Sequence, residues 1–209
     1  MPDSHAIRSA ILNDLKAVNH VSLTKYETVE SLHDFFVQPS EELSLTFKNV
    51  LHSISGNCEL FSSTTEALTY VKSLVGKDLV YCNSKELQDL LFSNAIVHDS
   101  NNETSKQAKY SFTTCEALSA RTASVIVSSQ QIIGRRAIAA PEIHIVLAYQ
   151  NQLYADLSES LSYIEQKYGT LYPSQVTVIT GPSRTADIEK TLVLGAHGPK
   201  KLYVLIVKK

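Results

Sequence analysis

The stretch "GPSRTADIEKTLVLGAHGP", Gly181 to Pro199, sets one guanidinium, two carboxylates and one imidazole between two Gly-Pro pairs. Arg184 can grip a carboxylate or a phosphate with its planar fork of N–H groups. His197 carries the side chain best suited to moving a proton near neutral pH. Gly181 lets backbone approach closely, Pro182 stiffens the turn, and Ser183 is placed to cap a helix. The free N–H groups of a first helical turn would add donors for an anion.

These residues need elements to hold them. From Val176 to Val207 the pattern predicts strand, loop, helix, loop, strand, a length that suits a βαβ unit of ~30 residues. Open α/β sheets bind ligands outside the carboxyl ends of their strands, and the loop Thr180–Ser183 is expected at such an end. A helix opening at Ser183 puts Arg184 in its first turn, where a cation opposes the dipole by a few tenths to ~1 kcal/mol. A negative group is then expected against it. Asp187, three residues on, is one partner; a bound carboxylate or phosphate is the other. Asp187 and Glu189 point apart on a helix and make no metal site by themselves. His197, between Gly195 and Gly198, reads either as a cap for the last helical carbonyls or as an acid–base or ligand contact.

The remaining motifs narrow the chemistry. No G-x-G-x-x-G, Walker A or G-x-S-x-G segment occurs, so the standard dinucleotide, nucleoside triphosphate and serine hydrolase modes lack support. His144 inside "IHIVL" reads as a core histidine bonding backbone. Arg121, Arg135 and Arg136 either line the same pocket or face solvent. Cys58, Cys82 and Cys115 are far apart, with no C-x-x-C, so this chain offers no recognised zinc or iron–sulfur ligand pattern. An odd cysteine count fits a reducing compartment.

Along the chain, Ser4–Val18 has helical periodicity, Thr24–Val37 reads as a connecting arm, and Ser40 opens a helix that Gly56 closes in a left-handed cap. "NCELF", "DLVYC" and "AIVH" then alternate with "TTEALTYVKSLV" and "KELQDLLF", capped by Ser63 with Glu66 and by Ser84. Thr113–Leu118 reads as a short helix, "ASVIVSS", "IHIVLAY", "QVTVIT" and "LYVLIV" as strands, and "QQIIGRRA" as irregular. Asp156–Tyr168 is expected as a helix ended by Gly169. The alternation predicts an α/β domain with a largely parallel sheet. Residues 1–55 are expected as a helical arm packing on a core of residues 56–209.

Composition excludes some partners. The chain has 209 residues and a net charge of -2. No basic stripe suggests nucleic acid. No apolar run reaches the roughly 18 residues of a membrane span, and Met1–Asn13 lacks a secretory apolar segment, so the expected compartment is cytoplasmic.

"GPSRTADIEKTLVLGAHGPKKL" (Gly181–Leu202) resembles the LUD-domain family. "GRRAIAAPEIHIVLA" supports this, with Gly134, Arg135, Pro141 and His144 in the family's order, and "CEALSARTASVIVSS" matches more loosely. The resemblance covers roughly the last hundred residues. It implies a three-layer α/β/α sandwich similar to the NagB/RpiA/CoA-transferase-like folds. It also implies a part in oxidation of L-lactate to pyruvate beside partner subunits that carry iron–sulfur clusters. The family usually has Ala-Glu-Thr-Gly-Thr where this chain has Ala120-Arg121-Thr122-Ala123-Ser124, which inverts a charge and puts a Cβ where relatives have none. The candidate ligand-binding set is Gly181, Ser183, Arg184, Thr185, Asp187, His197, Gly198 and Arg135, for a small carboxylate or phosphate. No catalytic residue and no metal ligand is assigned. The function expected is an accessory subunit of the lactate-oxidising system. A non-catalytic interaction module, or a transferase or isomerase on phosphorylated or CoA substrates, is the alternative.

Overall fold

The structure, a computed structural model, describes residues 42–101, 103–131, 133–186, 192–195 and 197–208, with Arg8, Ser9 and Asn13. The chain divides into two compact units, Met1–Val37 and Gln38–Lys209, and nearly all described residues belong to the second. Apart from Arg8, Ser9 and Asn13, the helix expected over Ser4–Val18 and the arm over Thr24–Val37 lie outside the described residues.

Within the second unit, α1 (Leu43–Ser53) precedes β1 (Asn57–Phe61), α2 (Thr64–Val75), β2 (Val80–Tyr81), α3 (Lys85–Ser93), β3 (His98–Asp99) and β4 (Tyr110–Thr113). Then come β5 (Ala117–Ser119), β6 (Ser124–Ser128), α4 (Gly134–Ala139), β7 (Ile143–Tyr149), β8 (Leu153–Tyr154) and α5 (Leu157–Tyr168). The chain ends with β9 (Val176–Thr180), β10 (Arg184–Ala186), β11 (Leu192–Leu194) and β12 (Lys201–Val207). A six-stranded sheet has the order β1-β12-β7-β4-β2-β3, and every pairing in it is parallel. A four-stranded mixed sheet has the order β8-β5-β6-β9, and β10 pairs with β11 as an antiparallel hairpin.

Both faces of the larger sheet are covered, which is why "IHIVLAY" and "LYVLIV" are almost continuously apolar. One face packs Phe112, Ile145, Leu147 and Leu205 against Leu68 and Val71 of α2 and Leu87 and Leu91 of α3. The other packs Val146, Val204 and Ile206 against Phe47 and Leu51 of α1 and against Leu118 and Val125 of the smaller sheet. The far side of the smaller sheet meets Ile164 of α5 through Ala117 and Ile126. The fold is thus α/β, with helices on both sides of mixed parallel and antiparallel sheets.

Several local expectations change. The side chain of Ser63 accepts from the Glu66 N–H at 3.2 Å as the capping pattern predicts, but the Glu66 carboxylate accepts from the Ser62 N–H, one residue before the N-cap donor of a full capping box. Ser84 caps α3 and Asp156 caps α5. At the end of α1, Ser55 rather than Gly56 is left-handed (φ 68). Gly56 matters for space instead: a Cβ there would sit 2.5 Å from Leu51 Cδ1. "AIVH" pairs only from His98, because Ala95 and Ile96 donate back to Phe92 and Leu91 in the turn that ends α3. Thr113–Leu118 is not helical; the Glu116 N–H donates to the Ile126 carbonyl at 2.8 Å and draws the segment into the smaller sheet. "QQIIGRRA" runs into α4, whose Ala137 packs on Tyr81 and Ala108.

The largest departure from expectation lies between Ser183 and Gly195. Arg184–Ala186 and Leu192–Leu194 are not the two ends of a βαβ helix; they are paired strands. Arg184 pairs with Leu194, Thr185 with Val193 and Ala186 with Leu192 across the hairpin. Thr185 and Val193 are β-branched and favour extended backbone. The capping signals at Ser183 and Gly195 are used by cross-links between the two arms instead.

Arg121 and Ala123 occupy the turn between β5 and β6. Ala123 takes the left-handed conformation (φ 48) that Cβ sterics were expected to oppose, with its methyl fully buried. Arg121 is tied down rather than left to face solvent. Its Nε and Nη2 donate to Asp156 at 2.8 and 2.9 Å, a bidentate pair that ties the turn to the start of α5. The Arg121 guanidinium, with help from the Leu157 N–H, holds the Asp156 carboxyl below its usual range despite some desolvation. A second anchor is Glu116, whose buried carboxylate accepts from Ser128 Oγ at 2.5 Å, Tyr168 OH at 2.6 Å and Lys167 Nζ at 2.8 Å. Burial alone would raise its pKa, yet these three bonds together bring it below the ordinary value.

Asp156→Ala removes a helix cap and an ion pair together and should cost about 2 kcal/mol in urea unfolding at neutral pH, against about 1 kcal/mol for Arg121→Ala. Because the folded Asp156 pKa is lowered, the pair contributes fully above the unfolded value of about 4 and is lost as pH falls through the folded one. The gap between wild type and Arg121→Ala should therefore close in acid. Glu116→Ala strands a lysine and two hydroxyls and should cost about 3 kcal/mol by the same measurement.

Candidate functional site

The cleft forms where strand β9 ends against two loops. At Gly181 the chain turns through φ 78, close under the last turn of α1. A Cβ at Gly181 would stand 3.2 Å from Ile54 Cδ1 and 3.3 Å from the Ile54 carbonyl oxygen, so both backbone angle and space call for glycine. The Ser183 N–H donates to the Pro199 carbonyl at 2.9 Å, and the Gly195 N–H donates to the Ser183 carbonyl at 3.0 Å. These bonds close the "GPSR" and "GAHGP" loops onto each other. Gly198 completes the closure: a Cβ there would lie 3.2 Å from Ser183 Cβ.

Between these loops and the larger sheet lies a cleft of about 500 Å³. Gly181, Ser183, Arg184, His197 and Gly198, all expected from sequence, line it together. Its apolar walls come from Ile54, Ile138, Ile179 and Leu202. Its place in the fold differs from the expectation. The loop does follow the carboxyl end of β9, but β9 belongs to the smaller sheet. In the parallel sheet the cleft sits at the amino ends, beside His144 and Leu202, second residues of β7 and β12 and paired in register.

Arg184 also sits differently from the expected helical turn. It heads a strand, so no helix N-terminus opposes its charge. Its Nη2 donates to the Ile54 carbonyl, the C-cap of α1, where a helix dipole favours a cation. Arg184 is exposed, and among the described residues no carboxylate pairs with it. The Ser183 N–H is occupied by Pro199, so the backbone donor expected at that position is not open to a ligand. Among the described residues His197 follows the strand β11 and caps no helix. It is exposed and stands between the cleft and a second recess where Lys200 Nζ lies 3.5 Å from Glu142 Oε1. Asp187 lies outside the described residues, as do the side chains of Thr185 and Arg135; Thr185 backbone is in β10 and Arg135 backbone in α4.

His144 is the residue whose role the sequence did not separate from core packing. It is fully buried, yet it lines the cleft. Its Nε2 shares a 2.8 Å hydrogen bond with Thr113 Oγ1, a side chain rather than backbone. Burial pushes its pKa down to about 4, so the ring is neutral at neutral pH. The sequence signal was present in hindsight: a polar ring in an otherwise apolar strand, two residues after the Pro-Glu that starts it. Thr180, at the cleft wall, also ends a chain of hydroxyls. Thr180 Oγ1 meets Ser124 Oγ at 2.7 Å, Ser124 donates to Thr122 Oγ1 at 2.8 Å, and Thr122 donates to Ser119 Oγ at 3.0 Å.

Cys58, Cys82 and Cys115 are buried; desolvation raises the thiol pKa of Cys58 and Cys82 to about 12 and moves Cys115 up as well. Among the described residues no group of three His, Cys, Asp or Glu side chains converges, and no helix is long and apolar enough to cross a membrane.

Comparison with known proteins places this arrangement. Lactate utilization protein C of Bacillus licheniformis is 31% identical over 117 residues, which are 55% of this chain and 49% of that one. The protein named uncharacterized protein YkgG of Escherichia coli is 28% identical over 192 residues, 84% of this chain and 79% of that one. In the match to the Bacillus licheniformis protein, the chain spans about half of that relative's length. A solved structure, a DUF162 family protein from Deinococcus radiodurans, shares the fold with a TM-score of 0.58 and 17% identity, over 79% of this chain and 96% of that one. The LUD domain family matches residues 35–207, which takes in every described element and the whole cleft. The chain belongs to the LUD domain family.

Proposed function

We propose that this protein is a component of a lactate-utilisation system, an accessory subunit whose cleft binds a small anion. The observation that carries the reading is the convergence of Arg184, Ser183 and His197 on one cleft, with no carboxylate pairing with Arg184 among the described residues. The name of the relatives suggests the ligand class, a small carboxylate such as L-lactate. Phosphate shares the same charge chemistry at an arginine fork. In this reading Arg184 holds the anion, the Ser183 hydroxyl adds a donor, and His197 orients the ligand or moves a proton at its exposed side. Ile138 and Leu202 give the ligand's carbon skeleton an apolar wall to rest on. The cysteines of this chain are buried, protonated thiols on separate segments, and the reading assigns the iron–sulfur clusters of lactate oxidation to cytoplasmic partner subunits.

The test is thermal unfolding and calorimetry of the full chain with L-lactate and with inorganic phosphate. A ligand present at a hundred times its Kd should stabilise wild type by about 2.7 kcal/mol. Arg184→Ala should abolish that stabilisation while changing the unliganded protein by no more than about 1 kcal/mol, the order expected for an exposed bond to Ile54. Collapse of unliganded Arg184→Ala would make the residue a structural brace for α1. Native mass spectrometry of protein purified under mild anaerobic conditions should recover cluster-bearing partners.

A further inference from the structure

The cleft has one polar group that anion binding at Arg184 does not use. His144 is fully buried, its Nε2 is committed to Thr113, and its Nδ1 has no hydrogen-bond partner among the described residues. A buried ring nitrogen left unpaired is costly. Across the register of β4 and β7, His144 faces Ser111, whose buried Oγ also has no partner among the described residues. The cleft that His144 lines is walled in part by apolar Ile138, Ile179 and Leu202, with the hydroxyls of Thr180 and Ser183 on its other side.

We infer that His144 is the specificity-determining residue of the cleft, exchanging one hydrogen bond through Nδ1 with a hydroxyl carried by the bound carboxylate. The inference rests on the reading that the cleft holds a carboxylate at Arg184. The hydroxyl follows from the ring's two tautomers. If Thr113 donates to Nε2, then Nδ1 carries the proton and needs an acceptor. If Nε2 donates to Thr113, then Nδ1 needs a donor. A carbonyl oxygen satisfies only the first arrangement, whereas a hydroxyl satisfies both. The ring is neutral near pH 7, so it adds no second charge and discriminates by hydrogen bonding alone. A site built around such a group rejects an analogue that lacks the hydroxyl, because the nitrogen is then left unpaired.

L-lactate and propionate differ by that hydroxyl and serve as the probes. Calorimetry on the full chain should show L-lactate binding at least about tenfold more tightly than propionate. In protein labelled with ¹⁵N at histidine, the His144 Nδ1 resonance should move on adding L-lactate and stay in place with propionate. His144→Phe should bind the two acids within about twofold of each other while keeping the affinity for propionate. Should that variant fail to fold, the wild-type ratio and the resonance decide by themselves. Equal binding of both acids with an unmoved resonance overturns the inference and leaves the carboxylate cleft standing. Failure of both acids to bind wild type overturns the carboxylate reading and this inference with it.

Discussion

The left-handed bend at Gly181 allows β9 to end against the last turn of α1, and the polar rim of the cleft follows from it. A Cβ at that position would press on Ile54 and strain the left-handed backbone that turns the chain toward Pro199. Once turned, Ser183 bonds to Pro199 and accepts from Gly195, so two loops at opposite ends of the hairpin sequence close into one wall. Arg184 then falls beside the C-cap of α1, a position where its charge is welcome to the helix and still reaches the cleft. A single backbone constraint therefore couples the placement of the cation to the packing of α1.

The fold gives this rim a floor made of different material. The parallel sheet is apolar on both faces, yet at the amino end of β7 it carries an imidazole held by a threonine on β4. The cleft is thus assembled from three parts that sequence separates: the end of α1, the start of β7 and β12, and the paired loops around the hairpin. Its location at the amino ends of the parallel strands departs from the common rule for open α/β sheets. The smaller sheet explains the departure, because β9 delivers its carboxyl end to that side. The turn that carries Arg121 and Ala123 acts elsewhere and fastens the smaller sheet to α5 through Asp156.

Much of this was legible in the residues. The long apolar runs of β7 and β12, the caps at Ser63 and Ser84, and the glycine-framed rim of Arg184 and His197 are legible from period and turn chemistry alone. The hairpin was not. Ser183 and Gly195 look like helix caps in one dimension, and only the contacts between the two loops show that they serve as cross-links. Two strands of the smaller sheet, β6 and β9, are legible as strands, but their separation from the larger sheet is not, because β5 and β8 are short and the pairing joins distant segments, such as Ser124 with Thr180. His144 was seen but read as packing, since periodicity reports burial and cannot report which buried nitrogen lacks a partner.

The central claim is that an anion is held at Arg184 between the paired loops and the amino ends of the parallel strands. A crystal structure of the full chain grown with L-lactate tests it most directly. The account predicts the carboxylate of the ligand against the Arg184 guanidinium, inside the cleft bounded by Ser183, Gly198 and Leu202. Lactate bound elsewhere on the protein, with Arg184 turned onto one of the chain's own acids, would contradict it.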